Sequence, residues 1–269
     1  MKKYELIELT ATELEQIKQK AEKKDITIYG SLYHVVALVN IIEHGVTAGQ
    51  RGGMVSGAHN LSTEGAAWVG ENAIVLDDAK VLDDALVTDS AWVSGNAVVR
   101  EDVRVSGEAQ VSDYAGLSGF ARVEGKACVF DSAWAQGRSV INGTATVCGD
   151  SLIRGYALIT DDAYVTNTSV ITDNAIVGGE TFVSLDFINS EIKGSIRGNV
   201  VLKGASRIDG YVNITDNVRV IGEGVVITDS ATISGDAVIL GESHVGEREV
   251  ISRGVINRAK PAPHPAPRN

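Results

Sequence analysis

Phe120, Arg138 and Tyr156 stand eighteen residues apart in a chain whose turns otherwise hold acids and small residues. Arg104 and Arg122 repeat that spacing, while Arg100 and Arg154 flank the same stretch near Trp134. Arginine between aromatics suits an anionic, planar ligand such as a nucleotide. Guanidinium groups take phosphate as a fork, and rings stack on a base. The same alternation also describes a cation–π ladder that stiffens an edge or forms a subunit contact. Both chemistries require residues eighteen apart to become neighbours.

Acids repeat in the same way. Asp83, Asp84, Glu101 and Asp102 would stack at one corner, as a Ca²⁺ site requires. The glycine- and aspartate-rich nonapeptide of calcium-binding β-rolls is missing, so solvated turn acids account for them better and no metal site is expected. Histidine supplies general bases and zinc ligands. The five here are His34, His44, His59, His244 and His264, and none falls between Leu61 and Ser243. His59 and His244 are the weak candidates for a catalytic base.

The spacing has a structural origin. From Val69 to Val183 an aliphatic residue returns at every sixth position, running Val69, Val75, Val81, Val87, Val93 and onward. Four residues after these sit small side chains such as Ala73, Ala79, Ala85, Ala91 and Ala97, with Gly, Asp, Asn and Ser between. A helix has no period of six, and a plain strand alternates in twos. A short strand plus a tight turn, repeated, gives six. The stiff β-branched residue points into a narrow core, Ala fits a corner, and Gly, Asp and Asn accept positive φ. Three hexapeptides close an eighteen-residue coil. The expected fold is all-β: a left-handed parallel β-helix, a hexapeptide solenoid of about ten coils and about 48 Å. The beat slips after Val183, resuming at Ile196, and again between Val220 and Ile227. Each slip reads as one extra residue, a bulge at a corner.

Two ends flank the rod. Residues 1–48 read as a small α/β cap, 49–255 as the β-helix and 256–269 as a disordered tail that holds all four prolines. In the cap, Thr12 to Glu15 form a capping box opening an exposed helix over 12–24, and Ile26 to Ile42 reads as one or two strands. These elements would cover the open solenoid end. The net charge of −11 argues against general nucleic-acid binding. No stretch is apolar enough for a signal segment or a membrane span. Cys128 and Cys148 lie on a diagonal of about 8 Å, too far for an unstrained disulfide, and a cytoplasmic location is expected. Outward apolar residues form two stripes, Trp68, Leu86, Val140, Leu158 and Ile176, and Ile74, Trp92, Phe130, Tyr164 and Phe182. Exposed stripes of that size mark interfaces, so a homotrimer is expected.

The segment Gly49-x-x-Gly52-Gly53-x-Val55, followed by Asn60-Leu61-Ser62-x-x-Gly65-x-x-Trp68-Val69, resembles the YdcK-like proteins of bacteria and their phages. These are left-handed β-helix proteins that carry a transferase label. The specific resemblance covers about residues 30–75, and the later coils match hexapeptide proteins generally. It implies a phage or prophage origin and, as the alternative function, a coenzyme A-dependent acyltransferase with His59 or His244 as base. Hexapeptide acyltransferases place that histidine near a subunit interface, often on a loop leaving a coil. From Val69 to Val183 no loop leaves the coils. Hexapeptide carbonic anhydrases need three metal-binding histidines, which this body lacks. The residues favour a non-catalytic solenoid without a cofactor. It would capture a small anionic ligand through Arg104, Phe120, Arg122, Arg138, Arg154 and Tyr156.

Overall fold

In the computed structural model, which describes residues 2–24, 26–185, 187–188 and 192–257, the six-residue beat becomes two-residue strands joined by four-residue connections, each centred on a two-residue turn. Three parallel faces result. The first runs from Arg51–Val55 to His244–Val245, the second from Lys80–Val81 to Val250–Ile251, and the third from Trp68–Val69 to Val255–Ile256. The third face counts eleven strands, so the rod has about one coil more than the period alone indicated. Partners eighteen apart hold strict register, as in Val105↔Val123 and Val111↔Val129. Val75, Val99, Val123, Ile153 and Val183 are all fully buried, as are Ala73, Ala97 and Ala127.

Each corner turns on the residue two after the inward one. Asp77, Asp83, Asp89, Asp113 and Asp161 occupy it at φ between 54° and 59°, and Gly95, Gly119, Gly137 and Gly155 at 66° to 73°. Aspartate tolerates this left-handed geometry better than most side chains. It also gains a partner there. Asp77 Oδ2 accepts from the Gly95 amide at 3.0 Å, Asp89 from Gly107 at 2.7 Å and Asp161 from Gly179 at 3.0 Å. The turn acids therefore tie each coil to the next, and the same holds for three of the four stacked acids considered for Ca²⁺. Asp83 accepts from the Glu101 amide at 3.1 Å, Glu101 from Gly119 at 2.7 Å, and Asp84 from Ala66 at 2.7 Å. Among the described residues no group of three His, Cys, Asp or Glu side chains could hold a metal ion.

The first slip is larger than one residue. Val183 lies on the first face, and the next inward residue of the second face is Ile196, paired with Ile171. A single hexapeptide step therefore contains a seven-residue insertion, part of which is an antiparallel hairpin pairing Phe187–Ile188 with Ile192–Lys193. The second slip is the one-residue change expected: stacked partners become nineteen apart, as in Ile208↔Ile227.

The cap differs from its expected form. Strands β1 (Tyr4–Glu8) and β2 (Tyr33–Ala37) add antiparallel to β3 (Arg51–Val55) and extend the first face. Helix α1 (Ala11–Glu22) starts at Thr10, not Thr12: Thr10 and Glu13 form the reciprocal capping box. Thr12 and Glu15 offer the same spacing, but only the Thr10 frame lets Leu9 and Leu14 join one apolar cluster as a hydrophobic staple. Hydrogen bonds from the Thr10 backbone and hydroxyl, then Arg51, hold the Glu13 carboxyl down at about 2. The helix is not wholly exposed. Ile17 and Ala21 bury against Met54, Ile74, Leu76 and Trp92, so it covers the flank of the rod instead of its end.

The end is closed by β1 and the residue before it. Lys3 Nζ donates to the carbonyls of Glu64, Gly65 and Ala67 at 3.4, 3.2 and 3.0 Å, and Tyr4 Oη donates to Leu61 O at 2.6 Å. Among the described residues no helix is long and apolar enough to cross a membrane. Arg258 to Asn269, most of the expected tail, lie outside the described residues; Val255–Ile256 still pair as a strand on the third face.

Candidate functional site

The corner between the second and third faces carries one residue per coil, three after each inward residue of the second face. Leu117, Ala135 and Ile153 are buried, so Phe120, Arg138 and Tyr156 are directed outward one above another. Gly119, Gly137 and Gly155 precede them at φ near 70°. A side chain there would press on the next coil: a Cβ at Gly119 would lie 2.9 Å from the Gly137 amide nitrogen. Glycine relieves that close approach, while the strand pairing sets the coil spacing that lets the corner side chains stack.

The guanidinium carbon of Arg138 lies 5.3 Å from the Phe120 ring centroid and 5.8 Å from that of Tyr156. Both rings are exposed, at 53% and 61%. Arg138 thus stands between two aromatic rings, and a guanidinium N–H edge left free by such contacts can fork onto an oxyanion. Arg104 and Arg122 are direct partners on adjacent strands of the third face. Arg100 and Arg154 extend from the second-face side, where the Trp134 ring covers Gly116; a Cβ at that glycine would lie 2.6 Å from it. Arg122 is 4.0 Å from Glu124, and Arg100 is 3.8 Å from Glu101. Among the described residues no ion pair involves Arg104, Arg138 or Arg154.

The ladder continues beyond its expected length. Asn174 Nδ2 donates to Asn199 Oδ1 at 3.1 Å, Asn199 to Asn217 at 3.0 Å, and Asn217 to Asp236 at 3.0 Å. The spacing jumps from eighteen to twenty-five at the hairpin, which hides this continuation from an eighteen-residue count. A second ladder stands on the first face. Tyr164 and Phe182 stack at 5.6 Å, and Arg207 lies 5.4 Å over Phe182 while bonding Asp209 at 2.6 Å. The Tyr164 hydroxyl is pushed up to about 12, chiefly by its hydrogen bond with Cys148 at 3.3 Å. Cys128 and Cys148 are both free thiols.

The two candidate bases are far apart in the fold. His59 Nε2 lies 2.7 Å from the Asp77 carbonyl, so that nitrogen carries its proton as a donor to the backbone. His244 is exposed on the last coil of the first face, in a groove with Gly246, Glu247, Arg248 and Glu249. His34 is the histidine nearest a carboxylate and an arginine, between Glu13 and Arg51 beneath α1. Burial first, then Arg51, holds its pKa below the usual value.

The glycine-rich segment before the first coil has structural work of its own. Gly52 lies against Trp68, whose ring would be 2.6 Å from a Cβ there, and a Cβ at Gly53 would be 2.8 Å from Val69 Cγ1. Asn60, fully buried, donates to the carbonyls of Asp77 and Ala79, each at 2.9 Å, and accepts from the Gly57 amide at 2.9 Å. These residues start the solenoid. No protein-family model matches the chain, and no curated protein matches it.

Proposed function

We propose that this chain is a non-catalytic β-solenoid that captures a small anionic, nucleotide-like ligand at the Phe120–Arg138–Tyr156 corner. The observation that carries the reading is Arg138, held between two exposed rings with no carboxylate partner among the described residues. In a protein of net charge −11, Arg104, Arg138 and Arg154, which make no ion pair among the described residues, would attract an anion to this edge. Arg104 and Arg122 on the third face and Arg154 on the second would hold the rest of the ligand. The engagement of His59 with a carbonyl speaks against the acyltransferase alternative. The coil-starting segment from Gly49 to Val69 supports placing the chain with the YdcK-like proteins, a relationship consistent with phage or prophage origin.

A thermal-shift screen with ATP, other nucleotides and coenzyme A should find a ligand that raises the melting temperature, because binding only the folded state stabilises it. Arg138→Ala should then weaken that ligand about ten- to a hundredfold by calorimetry, the loss of one charge-assisted contact of about 1.5–3 kcal/mol. Equal affinity in the two proteins would leave the corner as a stiffening ladder only.

We also propose a homotrimer, supported by fewer residues than the two stripes contained. Trp68, Ile74 and Trp92 are buried within the chain, the first against Gly52 and the other two beneath the cap. Phe130 stands outside its stripe, because the outward residue at that level of the first face is Cys128. The half-buried Val140, Leu158 and Ile176 still form a continuous apolar row on the third face, whereas Arg104 and Arg122 separate Leu86 from it. Light scattering should give three times the 28.4 kDa chain mass, and the single mass at micromolar concentration would overturn the trimer.

A further inference from the structure

A cleft of about 350 Å³ opens between the segment following α1 and the first face. Lys24 and Tyr29 form its cap side, Asp77 and Asp113 its rod side, and Trp92 and Gln110 line it between them. It is remote in the fold from the arginine corner, which lies between the second and third faces.

Its shape follows from one glycine. Asp77, Gly95 and Asp113 occupy the same turn position on successive coils, at φ of 54°, 66° and 59°. The middle rung has no side chain, so a gap separates two carboxylates that stand two coils apart. Each carboxylate has an oxygen held by backbone: Asp77 Oδ2 by the Gly95 amide at 3.0 Å and Asp113 Oδ2 by the Asp131 amide at 3.3 Å. Oδ1 of each can accept from a ligand. Tyr29 is 77% exposed at the mouth, whereas Trp92 is buried beneath the cap.

The lining selects by chemistry. Among the described lining residues two carboxylates against one ammonium leave the cleft net negative, so an anion of the kind suited to Arg138 is repelled. Acceptors on Asp77 and Asp113 share the cleft with donors on Lys24 and Gln110, and a hydroxyl group serves both because it donates and accepts. The exposed Tyr29 ring offers apolar surface to a face of C–H groups, and the buried Trp92 lies at the cleft wall. The volume lies at the small end of the range for ligand pockets. We propose that this cleft binds a neutral polyhydroxylated ligand of monosaccharide to disaccharide size.

Glucose, galactose, mannose and N-acetylglucosamine, titrated in turn into the ¹⁵N-labelled full chain, test this. At least one should produce saturable shifts in the Gly95 and Asp113 amides and the Trp92 indole, with Kd on the order of millimolar and about tenfold weaker in Tyr29→Ala. The exposed Tyr29 ring can be removed with little cost to the fold. No saturable shift with any of the four sugars, or shifts unchanged in Tyr29→Ala, would overturn the proposal. So would spermidine moving these peaks where the sugars do not, since that would assign the carboxylate pair to a cation. Arg138→Ala should leave the sugar response intact, so failure at the cleft and failure at the corner can be told apart.

Discussion

Val147→Asp should abolish folding, whereas Thr146→Asp, one residue earlier, should leave the rod folded and within about 1 kcal/mol of wild type. Val147 is fully buried between Val129 and Val165, and its whole environment is aliphatic. An unpaired carboxylate there loses its hydration with no compensating partner, at a cost of several kcal/mol even after relaxation. That is comparable to the total stability of an ordinary domain. Thr146 is half-buried and outward, beside Cys128 and Tyr164, where an added acid keeps contact with water. Circular dichroism and guanidinium melts separate the outcomes. Similar melts for both variants would show the register to be wrong, because a slip of one residue exchanges the two faces of a strand.

That register was legible because the six-residue beat is uninterrupted from Val69 to Val183, and the stacking of Phe120, Arg138 and Tyr156 follows from it arithmetically. The insertion after Val183 was not legible as such. A seven-residue excursion within one six-residue step moves the beat by thirteen, and two steps with one extra residue do the same. The pairing of Ile196 with Ile171, Leu202 with Val177 and Ile208 with Val183 distinguishes them. The same shift hid the Asn174–Asn199 contact and the approach of Arg207 to Phe182. Nor did the acids reveal their role. An aspartate at a turn looks solvated in sequence, and its bond to an amide eighteen residues later appears only once the coils are stacked. The cap was legible in type but not in place. Ile74 and Trp92 read as exposed stripe residues because nothing in their neighbourhood indicates that Ile17 and Ala21 cover them.

Lys3→Met should cost about 1.5–3 kcal/mol at pH 7, since it removes the charged donor that serves three carbonyls at the start of the rod. A solenoid end exposes backbone that lacks a next coil, and Lys3, only 6% exposed, takes the place of that coil for Glu64, Gly65 and Ala67. The contact has a cost that depends on pH. Burial lowers the ammonium from 10.5 to about 8, opposed in part by the nearby Asp84 carboxylate. Between pH 8 and 10.5 the unfolded chain therefore binds more protons at Lys3 than the folded one, and stability rises with pH across that window. Below about 8 both states hold the proton and the burial penalty is fully present; above 10.5 neither holds it. Other groups titrate in the same range, but they are common to both proteins, so the difference between wild type and Lys3→Met isolates this residue. Denaturant melts at pH 7, 8, 9 and 10 should show the gap widening as pH rises. A gap that narrows or stays level would mean that Lys3 is not buried at the end of the first coil.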